Sequence, residues 1–198
     1  MRTLILAGFL GSGKTTVLME LAGFLVRSGK NVVILENEIS SAGVDNQLLK
    51  SRGFQVRNIF AGCVCCSSAG ILCQDVQRIR QEFDPDWLII EATGMAFPDS
   101  IQASLRQELD IAASVLALVD ASRWKRVLAA MRQFAVSQLR GAAAVLVTKI
   151  DIVEPDALRE VLQSVGEMVD GIPVHPICAI RPIPENVWEI ILEKGQSQ

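Results

Sequence analysis

No apolar run in this chain reaches the ~20 residues that a membrane span needs; the longest are strand-sized. Neither sign of charge dominates. Nineteen basic residues face 22 acidic ones, for a formal net charge of −3, and no basic stripe stands out. That balance argues against nucleic acid or an anionic membrane surface as the main partner. The N-terminus runs from Met1-Arg2 through a short apolar stretch to Lys14 with no small-residue cleavage site. The expectation is therefore a cytoplasmic protein without a signal peptide. Internal repeats, low-complexity segments and long linkers are also missing. The 198 residues read as one domain over 1–194 with a frayed tail at 195–198. Tyrosine is absent, and the single histidine, His175, lies between Pro173 and Pro176, where it reads as structural rather than as a ligand.

Cysteine is scarce but unevenly placed. Four of the five fall within Cys63–Cys73 and the fifth is Cys178. A disulfide scaffold spreads its cysteines along a smaller secreted chain. Thiols clustered this tightly point instead to metal binding or redox chemistry.

What the chain does have is an alternation of two patterns. Thr3–Ala7, Val32–Leu35, Trp87–Ile90, Ser114–Val119 and Ala142–Val147 are continuous apolar runs of strand length, with Phe54–Ile59 and Pro173–Cys178 as weaker candidates. Strands apolar on both faces suit a parallel sheet covered on each side. Helical periodicity occupies Lys14–Arg27, Ala69–Glu82, Ile101–Glu108, Arg123–Arg140, Ala157–Met168 and Glu185–Glu193. The fold class is α/β, a doubly wound and mostly parallel sheet flanked by helices. Its ligand edge lies where the strands end.

The first strand runs into Gly8-Phe9-Leu10-Gly11-Ser12-Gly13-Lys14-Thr15, which fits G-x-x-x-x-G-K-[ST] between a strand and a helix. Such a loop turns the backbone N–H groups of Gly11, Ser12 and Gly13 toward phosphate oxygens, and the following helix adds its positive end. Lys14 would reach the β- and γ-phosphates, Thr15 would offer a hydroxyl to Mg²⁺, and Thr16 would contact the α-phosphate. After the strand Ala142–Val147 comes Thr148-Lys149-Ile150-Asp151. A carboxylate here can accept from both N1–H and the exocyclic amine of guanine, while the lysine stem covers the base. Cys178-Ala179-Ile180 would close over the base edge. The strand Trp87–Ile90 ends in Glu91-Ala92-Thr93-Gly94, where Glu91 would hold Mg²⁺ and Gly94 would approach the γ-phosphate. Lys14, Glu91 and Glu38 are the catalytic candidates. Glu36 and Asp45 are the alternatives to Glu38 for orienting an attacking water.

In Gly62-Cys63-Val64-Cys65-Cys66, an extended backbone puts Cys63 and Cys65 on one side, and a bend would bring Cys66 round to them. Three thiolates suit Zn²⁺, Cu(I) or another thiophilic metal and leave a position open. Cys73, on the following helix, faces elsewhere. A packed turn of small residues or a redox pair are the other readings.

Together, Gly8–Thr15, Glu36-Asn37-Glu38, Gly62-Cys63-Val64-Cys65-Cys66, Glu91-Ala92-Thr93-Gly94, Val119-Asp120-Ala121 and Thr148-Lys149-Ile150-Asp151 resemble the CobW/HypB/UreG family of P-loop GTPases, the CobW-like branch in particular. The resemblance implies a P-loop NTPase fold and slow GTP hydrolysis. It also implies coupling of GTP or GDP occupancy to delivery of a metal or metal-bearing cofactor to a client metalloprotein or cofactor-dependent enzyme, and often a homodimer. CobW-like proteins usually carry a further C-terminal domain and often a histidine-rich segment, so client recognition is expected on this domain's surface or on a separate protein. Where the family continues Glu-Asn-Glu with Phe-Gly, this chain has Ile39-Ser40-Ser41. The alternatives are a nucleotide-switched interaction module for a metallo- or corrinoid-cofactor enzyme system and, with no clear lid in the sequence, a small-molecule kinase.

Overall fold

A computed structural model describes residues 1–36, 55–58 and 69–194. Among the described residues seven strands form one sheet: β1 (Arg2–Gly8), β2 (Val32–Glu36), β3 (Gln55–Asn58), β4 (Trp87–Glu91), β5 (Ala113–Asp120), β6 (Ala142–Thr148) and β7 (Val174–Pro176). Their spatial order is β3-β2-β4-β1-β5-β6-β7, and every ladder between them is parallel. The helices are α1 (Lys14–Arg27), α2 (Ala69–Phe83), α3 (Pro98–Leu109), α4 (Trp124–Leu139), α5 (Pro155–Met168) and α6 (Glu185–Lys194).

The central strands are buried along nearly their whole length, which explains their unbroken apolar sequences. Alternate residues feed two cores. Ile5, Val33, Leu88, Ile90, Ala117 and Val145 pack under α2, α3, α4 and α5. Leu4, Leu6, Ile34, Ile89, Leu116 and Leu146 pack under α1 and α6, where Trp188 and Ile191 complete the layer. Trp87, Trp124 and Trp188 are all buried, as core residues.

Right-handed crossovers explain which helix lies where. The connections that travel from β3 toward β7 carry α2, α3, α4 and α5 to one face. The connection from β1 to β2 runs the other way and puts α1 on the opposite face. Because all ladders are parallel, β1, β4, β5, β6 and β7 deliver their last residues to one edge.

Several boundaries differ from the sequence reading. Pro98 and Pro155 occupy the first turns of α3 and α5, so both helices begin earlier than their apolar periodicity. The stretch read as one helix over Arg123–Arg140 is kinked at Met131, whose φ is −145° and ψ 47°. β7 is short because Pro173 and Pro176 have no N–H to give a ladder.

Candidate nucleotide site

The phosphate loop leaves β1 at Gly8, whose φ is 140°. A β-carbon there would stand 2.5 Å from the Leu118 carbonyl, so only glycine fits between β1 and β5. Gly11 and Gly13 also take positive φ, 75° and 92°. Gly13 caps α1 without a side-chain hydrogen bond, and no acidic residue occupies the first turn. No capping side chain thus competes with an anion for the first N–H groups of α1. The Lys14 ammonium folds back to donate to the carbonyls of Gly8 (3.0 Å) and Phe9 (3.2 Å) and is 7% exposed. The Thr15 hydroxyl donates to Glu91 Oε1 at 3.0 Å, across 76 residues of sequence. Glu91 itself is nearly buried at the end of β4. A hydroxyl and a carboxylate converging beside a phosphate loop are the hard oxygen donors that Mg²⁺ takes. Thr16 is exposed on the first turn of α1.

Thr148, at the end of β6, ties the two halves of the site together. Its buried hydroxyl donates to the carbonyls of Ser12 (2.8 Å) and Val119 (3.2 Å). Lys149 follows in the left-handed region at φ 58°, and its ammonium contacts Asp120 Oδ2 at 2.7 Å. Asp120 Oδ1 accepts from the N–H and hydroxyl of Ser122. Burial alone would raise the Asp120 pKa; Lys149 and Ser122 outweigh it and hold the carboxyl below its ordinary 3.8. This charge therefore stabilises the fold above the ordinary carboxylate range, and the contribution is lost as pH falls through the lowered value. Two residues further, exposed Asp151 accepts from the Cys178 thiol at 3.3 Å. Ala179 follows, half-buried.

The structure therefore gathers Gly11, Ser12, Gly13, Lys14, Thr15, Thr16, Glu91, Lys149, Asp151, Cys178 and Ala179 along one sheet edge. Glu38, Asp45, Cys63, Cys65 and Cys66 lie outside the described residues, as does the side chain of Glu36. Cys73 is in the core, 3% exposed, with its thiol against the Ser104 carbonyl. Burial first, then nearby Glu108, pushes that thiol up to about 11. Among the described residues no three His, Cys, Asp or Glu side chains gather as a metal-binding group.

Sequence reasoning missed Arg123, whose guanidinium is 3.2 Å from where a β-carbon on Gly11 would stand and 3.6 Å from Asp120. It also missed Gln138 and the role of Thr148. Only the position of Asp120 in a strand-end Val-Asp-Ala motif hinted at this cluster.

The profile of the CobW/HypB/UreG nucleotide-binding domain matches residues 2–176. The chain belongs to the CobW/HypB/UreG family. Among CobW/HypB/UreG relatives, the zinc chaperone YjiA of Escherichia coli is 34% identical over 178 residues, covering 82% of this chain and 54% of that protein. The zinc-regulated GTPase metalloprotein activator 1 of Dictyostelium discoideum is 30% identical over 121 residues, covering 54% of this chain and 25% of that one. The chain thus spans about half or less of the length of these curated relatives. In fold it is similar to HypB from Helicobacter pylori, crystallised with nickel, at a TM-score of 0.74 and 21% identity, over 100% of this chain and 88% of that one. The expected fold class and family resemblance are both borne out. No helix among the described residues is long and apolar enough to cross a membrane.

Proposed function

We propose that this domain binds GTP with Mg²⁺, hydrolyses it slowly, and couples nucleotide state to a thiophilic metal held by Cys63, Cys65 and Cys66 for delivery to a client metalloprotein. The observation that carries the nucleotide half is the meeting of Thr15 and Glu91 beside Lys14 at the mouth of the phosphate loop. The metal half is supported by the cysteine spacing and by the zinc chaperones and zinc-regulated GTPase among the relatives.

Thr15 and Glu91 would hold Mg²⁺, directly or through water, where it would offset charge on the β- and γ-phosphates. Lys14 would exchange its loop carbonyls for phosphate oxygens, a stronger charge-assisted pairing. Lys149, oriented by Asp120, would lay its stem on the base while Asp151 accepts the two guanine donors. The cysteine segment lies in sequence between Glu38 and Glu91, which places it to feel a change in either flank.

Linkage makes the coupling measurable. Metal affinity in the GTP state should differ from that in the GDP state by ~5–150-fold, and metal should change GTP affinity by the same factor. Zinc competition titrations in GDP and in a non-hydrolysable GTP analogue read this directly, with phosphate release from GTP and ATP alongside. Equal metal affinities would remove the coupling, and release from ATP as fast as from GTP would remove the guanine assignment.

Gly94 supplies a second test. A β-carbon there would stand 2.5 Å from the backbone nitrogen of Leu10, so the turn after β4 lies directly on the phosphate loop. Gly94→Ala should push the turn away. GTP turnover should fall by about tenfold or more while GDP affinity stays within about threefold, because on this reading the displaced backbone would approach the γ-phosphate rather than the α- or β-phosphate. Undiminished turnover would show that Gly94 has no part in the reaction.

A further inference from the structure

Gln138 is 2% exposed and sits in the last turn of α4, and no role above is assigned to it. Its amide oxygen accepts from the N–H of Gly8 at 3.1 Å. Its amide nitrogen donates to the carbonyl of Ala96. The partners leave no choice of amide orientation, since an N–H can only donate and a carbonyl only accept. One neutral side chain therefore bridges the first residue of the phosphate loop and the end of the turn after β4.

That turn is fastened at both ends. The Ala92 N–H donates to the Leu6 carbonyl at 3.0 Å, and the Ala96 N–H closes the turn onto Thr93 at 3.0 Å. Gln138 then holds the Ala96 carbonyl. One turn earlier on α4, the Phe134 ring stands edge-on to Phe9 of the phosphate loop at 5.3 Å and to Phe97 at 5.5 Å. The C-terminal half of α4 thus touches both segments twice, once by hydrogen bonds and once by rings. The backbone between those fastenings, Thr93 to Met95, is the part that Gly94 lays against Leu10.

We propose that Gln138 is a positioning residue: it sets the spacing between the phosphate loop and the Thr93–Ala96 turn, and so sets how the site distinguishes a nucleoside triphosphate from a diphosphate. This rests on the nucleotide reading above. Only a side chain that donates and accepts together, at glutamine's length, satisfies both partners. Gln138→Met keeps the length and makes neither bond.

In the full chain, Gln138→Met should bind GDP within about threefold of the unaltered chain, because Gly11–Thr15 are untouched. Its preference for a non-hydrolysable GTP analogue over GDP should fall by about tenfold or more, and kcat should fall similarly with KM within about threefold. Gln138→Asn reaches only one of the two partners and should give an intermediate loss; it carries the same readout if the methionine variant does not fold. A variant with a lower melting temperature but unchanged kcat and unchanged nucleotide preference would overturn the proposal and leave Gln138 a packing residue. If the unaltered chain hydrolyses no GTP, the functional reading fails instead, and the analogue-to-GDP affinity ratio still tests the link by itself.

Discussion

Asp151→Asn should weaken GTP by about a hundredfold or more, while ATP, expected to bind poorly at the outset, should change little. Each hydrogen bond to a charged group contributes ~1.5–3 kcal/mol, and the carboxylate would accept two of them from guanine. Asparagine keeps one acceptor and sets an N–H₂ donor against a donor. Adenine offers the carboxylate no matching pair of donors, so ATP should lose nothing. Xanthine carries a carbonyl where guanine carries the amine, so XTP should gain on the variant as GTP declines. The local geometry supports the proposed role: Lys149 stands in the left-handed region, Asp151 two residues on meets Cys178, and Lys149 itself is engaged by Asp120. Displacement titrations with GTP, ATP and XTP measure all three affinities. A GTP-to-ATP ratio equal to that of the unaltered protein would mean that the base is read elsewhere.

Replacing Cys63, Cys65 and Cys66 together with serine should abolish stoichiometric zinc binding. In the absence of metal, GTP affinity should remain within about threefold, because the phosphate loop and base end use other residues. The chemistry is one-sided: zinc takes the deprotonated sulfur, and a serine hydroxyl stays protonated and binds it poorly. Cys73→Ser is the control. Its thiol is buried, raised to about 11 and turned against α3, so zinc stoichiometry should be unchanged. Competition with a chromophoric chelator gives the count for each variant. Tight zinc retained by the triple variant would move the metal site to other residues.

The fold was legible because a parallel sheet buried on both faces writes continuous apolar runs. α1 was legible to the residue: the phosphate loop marks its start and Arg27 its last turn. The kink at Met131 was not, since neither proline nor glycine lies within α4 to announce it. The site residues that carry a motif, from Gly8 to Thr15 and from Thr148 to Asp151, were readable because their spacing is local. Gln138 and Arg123 were not. A glutamine in a helix's last turn reads as a solvated polar residue, and only the sheet order brings it to Gly8 and Ala96, 130 and 42 residues away. Arg123 is hidden for the same reason: its neighbour Gly11 lies on another strand's loop.

The Thr148 hydroxyl, shared between Ser12 and Val119, has a consequence for ligand size. It rivets the ends of three neighbouring strands, so the base end and the phosphate end are held at one separation, like the jaws of a locked caliper. On the proposed nucleotide reading a molecule must match that gauge to engage both jaws at once: guanosine alone, or pyrophosphate alone, would fill one and forfeit the other.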